Sequence, residues 1–194
     1  MSGLQSAFCR SAPWRLVARR GVLPWALRGY EPHGDVLEIG AGSGAMAVEL
    51  AATRPDIHLT ATDVDDAMVG AASARLEPFG DRVTARRADA TALPFEDASF
   101  DGVLSWVMLH HTVEWERAVA EAIRVLRPGG TLVGYDLLST APMRLLHRGD
   151  DRLRFIELPE LRARASELPL DGASIDPSLL GMTVRFALRK SAIA

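Results

Sequence analysis

The stretch "VLEIGAGSG", residues 36–44, decides the architecture. An apolar run carrying one acid, Glu38, breaks into three glycines spaced two apart: Gly40, Gly42 and Gly44. A short apolar run closed by turn residues reads as a buried strand. Glycines then let the backbone take positive φ and approach a ligand closely. Behind them, Ala45–Thr53 places Met46, Leu50 and Thr53 on one face of a helix that stops before Pro55. That helix would present its free N-terminal N–H groups to whatever the turn holds.

Outward from this unit the chain alternates strand-like and helix-like segments, as a mostly parallel sheet flanked by helices does. His58–Thr62 is the next strand, followed by a helix over Asp65–Glu77 with Asp65 or Asp66 as its cap and Pro78 and Gly80 beyond it. Val83–Ala88 is more polar, as a peripheral strand would be, and 89–100 reads as a loop. Asp101–Val107 is a strand. Trp115, Val119, Ala122, Ile123 and Leu126 then recur at helical spacing until "RPGG", 127–130, stops them. Thr131–Tyr135 is the fifth strand and ends at Asp136. Residues 137–170 are looser, with helical character near 142–146 and 159–167. "MTVRFAL", 182–188, is a last strand by its β-branched and aromatic content, and a weaker strand candidate lies at 173–175.

Bulk properties narrow the class. At 194 residues, 48% hydrophobic and 24% charged, the chain suits one soluble domain with a proper core. A net charge of −3 gives no basic field for nucleic acid. The lone cysteine, Cys9, excludes an intrachain disulfide and a cysteine zinc cluster, and no metal-ligand spacing stands out. No apolar run approaches the ~20 residues of a membrane span, and the N-terminus lacks the apolar core of a secretory signal. The expected location is cytoplasmic. Arg10, Arg15, Arg19, Arg20 and Arg28 precede the first acid, Glu31.

The glycine turn alone admits two cofactors. Gly40, Gly42 and Ala45 satisfy the dinucleotide pattern G-x-G-x-x-G/A, and Asp63, at the end of the second strand, suits ribose hydroxyls of either ligand. Glu38 favours a ligand with cationic ammonium and sulfonium groups over a pyrophosphate. "VLEIGAGSG" resembles motif I of the class I S-adenosylmethionine-dependent methyltransferases, with the form E-x-G-x-G-x-G complete. "LTATDVDDAM", "RRADATALPFEDASFDGVLSWVMLHH" and "AIRVLRPGGTLVGYD" follow in the family's order, so the likeness covers about 34–136. It is nearest the ubiquinone/menaquinone-type branch, which includes many small-molecule and lipid methyltransferases.

That resemblance implies an α/β, Rossmann-like, mostly parallel sheet with helices on both faces and an antiparallel last strand at its edge. It implies that S-adenosyl-L-methionine, leaving as S-adenosyl-L-homocysteine, meets the turn residues Glu38, Gly40, Ala41, Gly42 and Gly44. Asp63 would hold the ribose, Val64 would lie on the adenine, Asp89 and Ala90 would meet its edge, and the segment after the fourth strand would border the methionine moiety, with Met68, Ser105 and Trp106 also among the cofactor-binding residues. Residues 34–194 would form this domain, 1–33 a helical cover and 137–170 a cover over the acceptor.

Methyl transfer from a sulfonium needs orientation and dryness more than a fixed triad, so the motifs leave the acceptor open. His110, His111 and Asp136 sit just past the fourth and fifth strands, where ligands bind in open α/β sheets, and are the candidates for a base or acceptor contact. Their bland reading is scaffold, packing or a turn carboxylate. His147 in "RLLHRGDD" reads as a surface histidine. No [Asn/Asp]-Pro-Pro-aromatic quartet follows the fourth strand, and 105–112 holds no paired glutamates. A small or lipid-like acceptor is therefore favoured. Residues 8–30 mix Trp14, Trp25 and aliphatic residues with arginines: a cover for the cleft, a segment resting on anionic lipid, or plain packing. A monomer or homodimer is expected. A non-catalytic cofactor-binding protein and a nicotinamide-dependent reductase are the competing readings.

Overall fold

The computed structural model describes residues 18–141, 145 and 153–192. The expectations for Cys9, for a helix at 142–146 and for His147 fall outside them. Among the described residues seven strands form one sheet: β1 (Asp35–Ile39), β2 (His58–Asp63), β3 (Val83–Arg87), β4 (Phe100–Trp106), β5 (Leu126–Leu137), β6 (Leu170–Ser178) and β7 (Thr183–Lys190). Five α-helices accompany them among the described residues: α1 (Leu23–Leu27), α2 (Ala45–Thr53), α3 (Asp66–Leu76), α4 (Trp115–Val125) and α5 (Leu158–Glu167). No helix among these residues is long and apolar enough to cross a membrane.

The strand order is β3-β2-β1-β4-β5-β7-β6. β1 lies between β2 and β4, both parallel to it, and β4 pairs parallel with β5. Only β7 runs the other way. Leu37 and Ile39 point from β1 into the core under α4 and α5, while Val36 joins the core under α1, α2 and α3. Both faces of the sheet are thus covered, which is why its inner strands read as continuous apolar runs.

Most elements match their sequence signals. Asp65 caps α3, its carboxylate accepting from the Ala67 N–H at 2.8 Å. Trp115 is fully buried and heads the apolar stripe of α4. Two expectations are corrected. The last strand is not at the edge: β7 pairs with β5 on one side and β6 on the other. Val184, Arg185 and Phe186 are buried, as an inner strand requires, whereas β6 is mostly exposed and carries Pro177, which an edge strand tolerates. Nor does "RPGG" lie outside the sheet. Leu126 already pairs with Phe100, and the register shifts before Gly102 pairs with Thr131, so these residues form an irregularity within β5.

The end of the sheet away from the glycine turn is tied by charge. Arg127 bonds Asp101 at 2.6 Å and Asp35 at 2.9 Å, and Asp101 also accepts from the Asp35 N–H. Burial works against the Asp101 carboxylate, but the Asp35 N–H and the Arg127 guanidinium hold its pKa below the usual range.

Candidate functional site

The site grows from the C-terminal ends of β1, β2, β4 and β5. Gly40, Gly42 and Gly44 have φ of 62°, 54° and 77°, where any Cβ is strained. A Cβ on Gly40 would lie 2.7 Å from Met108, so the chain after β4 packs directly on the turn. A Cβ on Gly42 would meet nothing within 4 Å, leaving open space over that backbone. The Gly42 N–H donates to Asp63 Oδ2 at 2.8 Å, and the Asp65 N–H donates to Oδ1 at 3.0 Å. One β-strand end thus fixes its carboxylate over the neighbouring turn, with lone pairs left on both oxygens for hydroxyl donors.

The residues proposed for the nucleoside continue along the same rim. Val64 is exposed, Met68 is half-buried on α3, and the Ala88 N–H donates to the Asp63 carbonyl at 3.0 Å, which ties the start of the 88–92 loop to β2. Asp89 accepts from the N–H and hydroxyl of Thr91, each at 2.8 Å, and so shapes the loop that carries Ala90.

Glu38 is the electrostatic anomaly. It is buried, Oε2 has no hydrogen-bond partner, and burial pushes its pKa up to about 8. Strand alternation puts Leu104 and Trp106 on the face that Glu38 shares, since Glu38 pairs with Leu104. The Trp106 Nε1 is also buried without a partner, as is the Ser105 Oγ. An acceptor and two donors left unpaired beside a glycine turn are costly unless a ligand or water completes them. Just beyond, Val107 has φ 52°, a strained position for a β-branched residue, and its N–H is held by the Tyr135 carbonyl at 2.9 Å.

The candidate catalytic residues separate. His110 and Asp136 are buried together, with Nδ1 2.6 Å from Oδ1. Asp136 also accepts from the N–H groups of Leu109 and Leu137, both at 2.7 Å, so its orientation is fixed. A carboxylate can only accept, which assigns the Nδ1 proton to His110 and leaves Nε2 as the basic nitrogen. Phe155 stacks on the His110 ring with a centroid distance of 5.7 Å and an angle of 4°. His111 is exposed and lies ring to ring with His110 at 4.1 Å, outside the bonds to Asp136.

Sequence reasoning did not pair His110 with Asp136, 26 residues apart. It also missed Phe155, Val107 and Tyr135, and did not bring the named Trp25 and Trp106 together around Tyr135, whose ring lies 5.1 Å from the first and 5.7 Å from the second. The one available signal was position: Tyr135 and Asp136 both stand at the end of β5. No group of three or more metal-ligating side chains occurs among the described residues.

The comparisons accord with this geometry. Residues 36–130 match the model of a methyltransferase domain. The chain is 38% identical over 139 residues to a demethylmenaquinone methyltransferase of Clavibacter sepedonicus, covering 71% of this chain and 52% of that protein. It is 34% identical over 184 residues to the 27-O-demethylrifamycin SV methyltransferase of Amycolatopsis mediterranei, covering 89% of this chain and 65% of that protein. It therefore spans about half to two thirds of the length of these relatives. Its fold matches that of the Haemonchus contortus phosphoethanolamine N-methyltransferase 2 bound to S-adenosyl-L-methionine, with a TM-score of 0.75 at 18% identity over 93% of this chain and 53% of that one.

S-adenosylmethionine suits the residues present: a buried Glu38 with an unpartnered Oε2 that a cationic group would ionise, open space over Gly42 and a fixed Asp63. The dinucleotide pattern completed by Ala45 is incidental. Residues 36–130 thus carry a methyltransferase domain, and the chain is similar to ubiquinone/menaquinone-type methyltransferases over part of their length.

Proposed function

We propose that this chain transfers a methyl group to a small, lipid-like acceptor, with His110 as general base and Asp136 as its partner. The observation that carries the base assignment is the buried 2.6 Å bond between them, two residues after Met108, which packs on Gly40. S-adenosylmethionine, when bound, supplies a methyl carbon on a positively charged sulfur, already activated for displacement. Asp63 receives ribose hydroxyls, and Val64, Met68, Asp89 and Ala90 line the adenine side. Glu38 balances the ligand's cationic end beside Ser105 and Trp106. The glycine turn lets backbone approach where Gly42 is open.

The acceptor's proton goes to His110 Nε2. Asp136 holds the ring in the tautomer that leaves Nε2 free and stabilises the imidazolium that forms. Phe155 restricts the ring's rotation by stacking on it. Trp25, Tyr135 and the covering segments exclude water from the displacement. A cytoplasmic location, a monomer or homodimer, and the absence of a nucleic-acid partner belong to the same reading.

His110→Gln and Asp136→Asn test it. Each is expected to lower turnover by about 10²–10⁴-fold with S-adenosylhomocysteine affinity nearly intact by calorimetry. Wild-type turnover in both variants overturns the base assignment. Labelled S-adenosylmethionine with fractionated lipids and metabolites should give a labelled product from the lipid-soluble fraction. Cofactor binding without transfer to any fraction would make this a binding protein instead, and binding of NADH in place of S-adenosylhomocysteine would make it a reductase.

A further inference from the structure

Five large hydrophobic side chains stand exposed among the described residues: Val64, Val113, Leu145, Leu179 and Leu180. All lie in segments that leave one edge of the sheet. Val64 follows β2, Val113 follows the short turn after β4, and Leu145 lies in the connection after β5. Thr183 pairs with both Leu137 and Ser178, which puts the β6–β7 turn on that same C-terminal edge. Val64 has a use at the adenine. The two leucines do not.

Leu179 is 60% exposed and Leu180 fully so. Both have positive φ, 48° and 57°, and Gly181 follows at 81°. Asn or Gly would make such a turn without strain. Leucines there accept strain and present apolar surface to the outside. β5, β7 and β6 are neighbours, so at about 4.8 Å per strand the turn stands within roughly 10 Å, across the sheet, of the strand that carries Asp136 near its end.

Beside the turn is a cleft of about 340 Å³ lined by Trp25, Arg28, Asp176, Pro177, Ser178 and Arg185. Arg185 bonds Asp176 at 3.0 Å and the Trp25 carbonyl at 3.3 Å, and Arg28 is exposed. The cleft therefore carries two guanidinium groups against one carboxylate. The sequence before it holds four more arginines and no acid. An apolar tip flanked by tryptophan and excess positive charge is the composition of an interfacial anchor on anionic lipid.

We propose that the β6–β7 turn and the Trp25–Arg28–Arg185 cleft dock this protein on an anionic phospholipid bilayer, so that a lipid-soluble acceptor enters at the C-terminal edge of the sheet. The entry of the acceptor rests on the methyltransferase reading above; the docking does not.

The test is co-sedimentation of the full chain with phosphatidylglycerol–phosphatidylcholine vesicles and with pure phosphatidylcholine vesicles, at low and high salt. The wild type is expected to bind the anionic vesicles, and more weakly in high salt. L179N/L180N places residues that suit the left-handed turn, and should lose about tenfold or more in partitioning with a melting temperature equal to or above that of the wild type. Arg28→Gln should reduce the preference for anionic vesicles. Absence of wild-type binding, or a double variant that binds like the wild type, overturns the proposal. So does light scattering showing a dimer that the double variant dissociates, which would assign the turn to a second copy. S-adenosylhomocysteine affinity measured on the same samples separates the two readings. Vesicle binding without it leaves docking standing and removes the methyltransferase reading, and the reverse result removes docking alone.

Discussion

At the scale of single residues, Glu38 makes a testable link between protonation and ligand. Its folded-state pKa lies near 8, above the ordinary carboxylate value of 4.5. Between those values the folded chain holds a proton that the unfolded chain has lost, so stability falls as pH rises through this window. The slope from this one group is at most about 1.4 kcal/mol per pH unit. Chemical denaturation of the ligand-free protein between pH 5 and 8 should show that decline, and Glu38→Gln should flatten it. A cation placed beside Glu38 favours the ionised form, so binding S-adenosylhomocysteine near pH 7 should release a proton. Calorimetry in two buffers of different ionisation enthalpy would report it, and equal heats in both would count against contact with Glu38. Asp63 allows a simpler measurement. It holds the Gly42 and Asp65 N–H groups and is the proposed ribose acceptor. Asp63→Ala is expected to weaken S-adenosylhomocysteine binding by about 1.5–3 kcal/mol, and unchanged affinity would remove Asp63 from the site.

At the scale of elements, α4 was legible because its stripe is strict: Trp115, Val119, Ala122 and Ile123 are all buried. Trp115→Ala should cost about 3–5 kcal/mol by thermal or chemical unfolding, since a fully buried tryptophan leaves a large cavity. Trp115→Phe should recover most of this, because the indole Nε1 has no hydrogen bond to lose. A small loss on Trp115→Ala would mean that α5 and Arg154, whose guanidinium lies 5.6 Å over the ring, collapse into the gap. The strands were legible where both faces are buried and obscure where they are not. β6, "LDGASIDPS", has no apolar run, because an edge strand packs little and its pairing to β7 is carried by backbone. The same fact hid the position of β7. A strand reads as apolar whether it borders one neighbour or two, and only the presence of β6 decides which.

At the scale of the whole molecule, the two kinds of site residue differ in how sequence encodes them. The glycine turn, Glu38 and the N-terminus of α2 are contiguous, so spacing alone places them together on one strand–turn–helix unit. Asp63 follows from the same logic one strand later, because a parallel neighbour must end at the same edge. The His110–Asp136 bond, the stacking of Phe155 and the meeting of Trp25 with Tyr135 join residues from separate elements. The sequence by itself determined the α/β alternation, the glycine turn after β1 and the edge of the sheet at which the strands and the turn meet, since each rests on local periodicity and backbone permissiveness. Only the tertiary structure decided which histidine meets a carboxylate, which strand lies at the edge and where apolar surface is left uncovered. Those depend on strand order, and strand order is fixed by how whole faces pack rather than by any residue's neighbours in the chain.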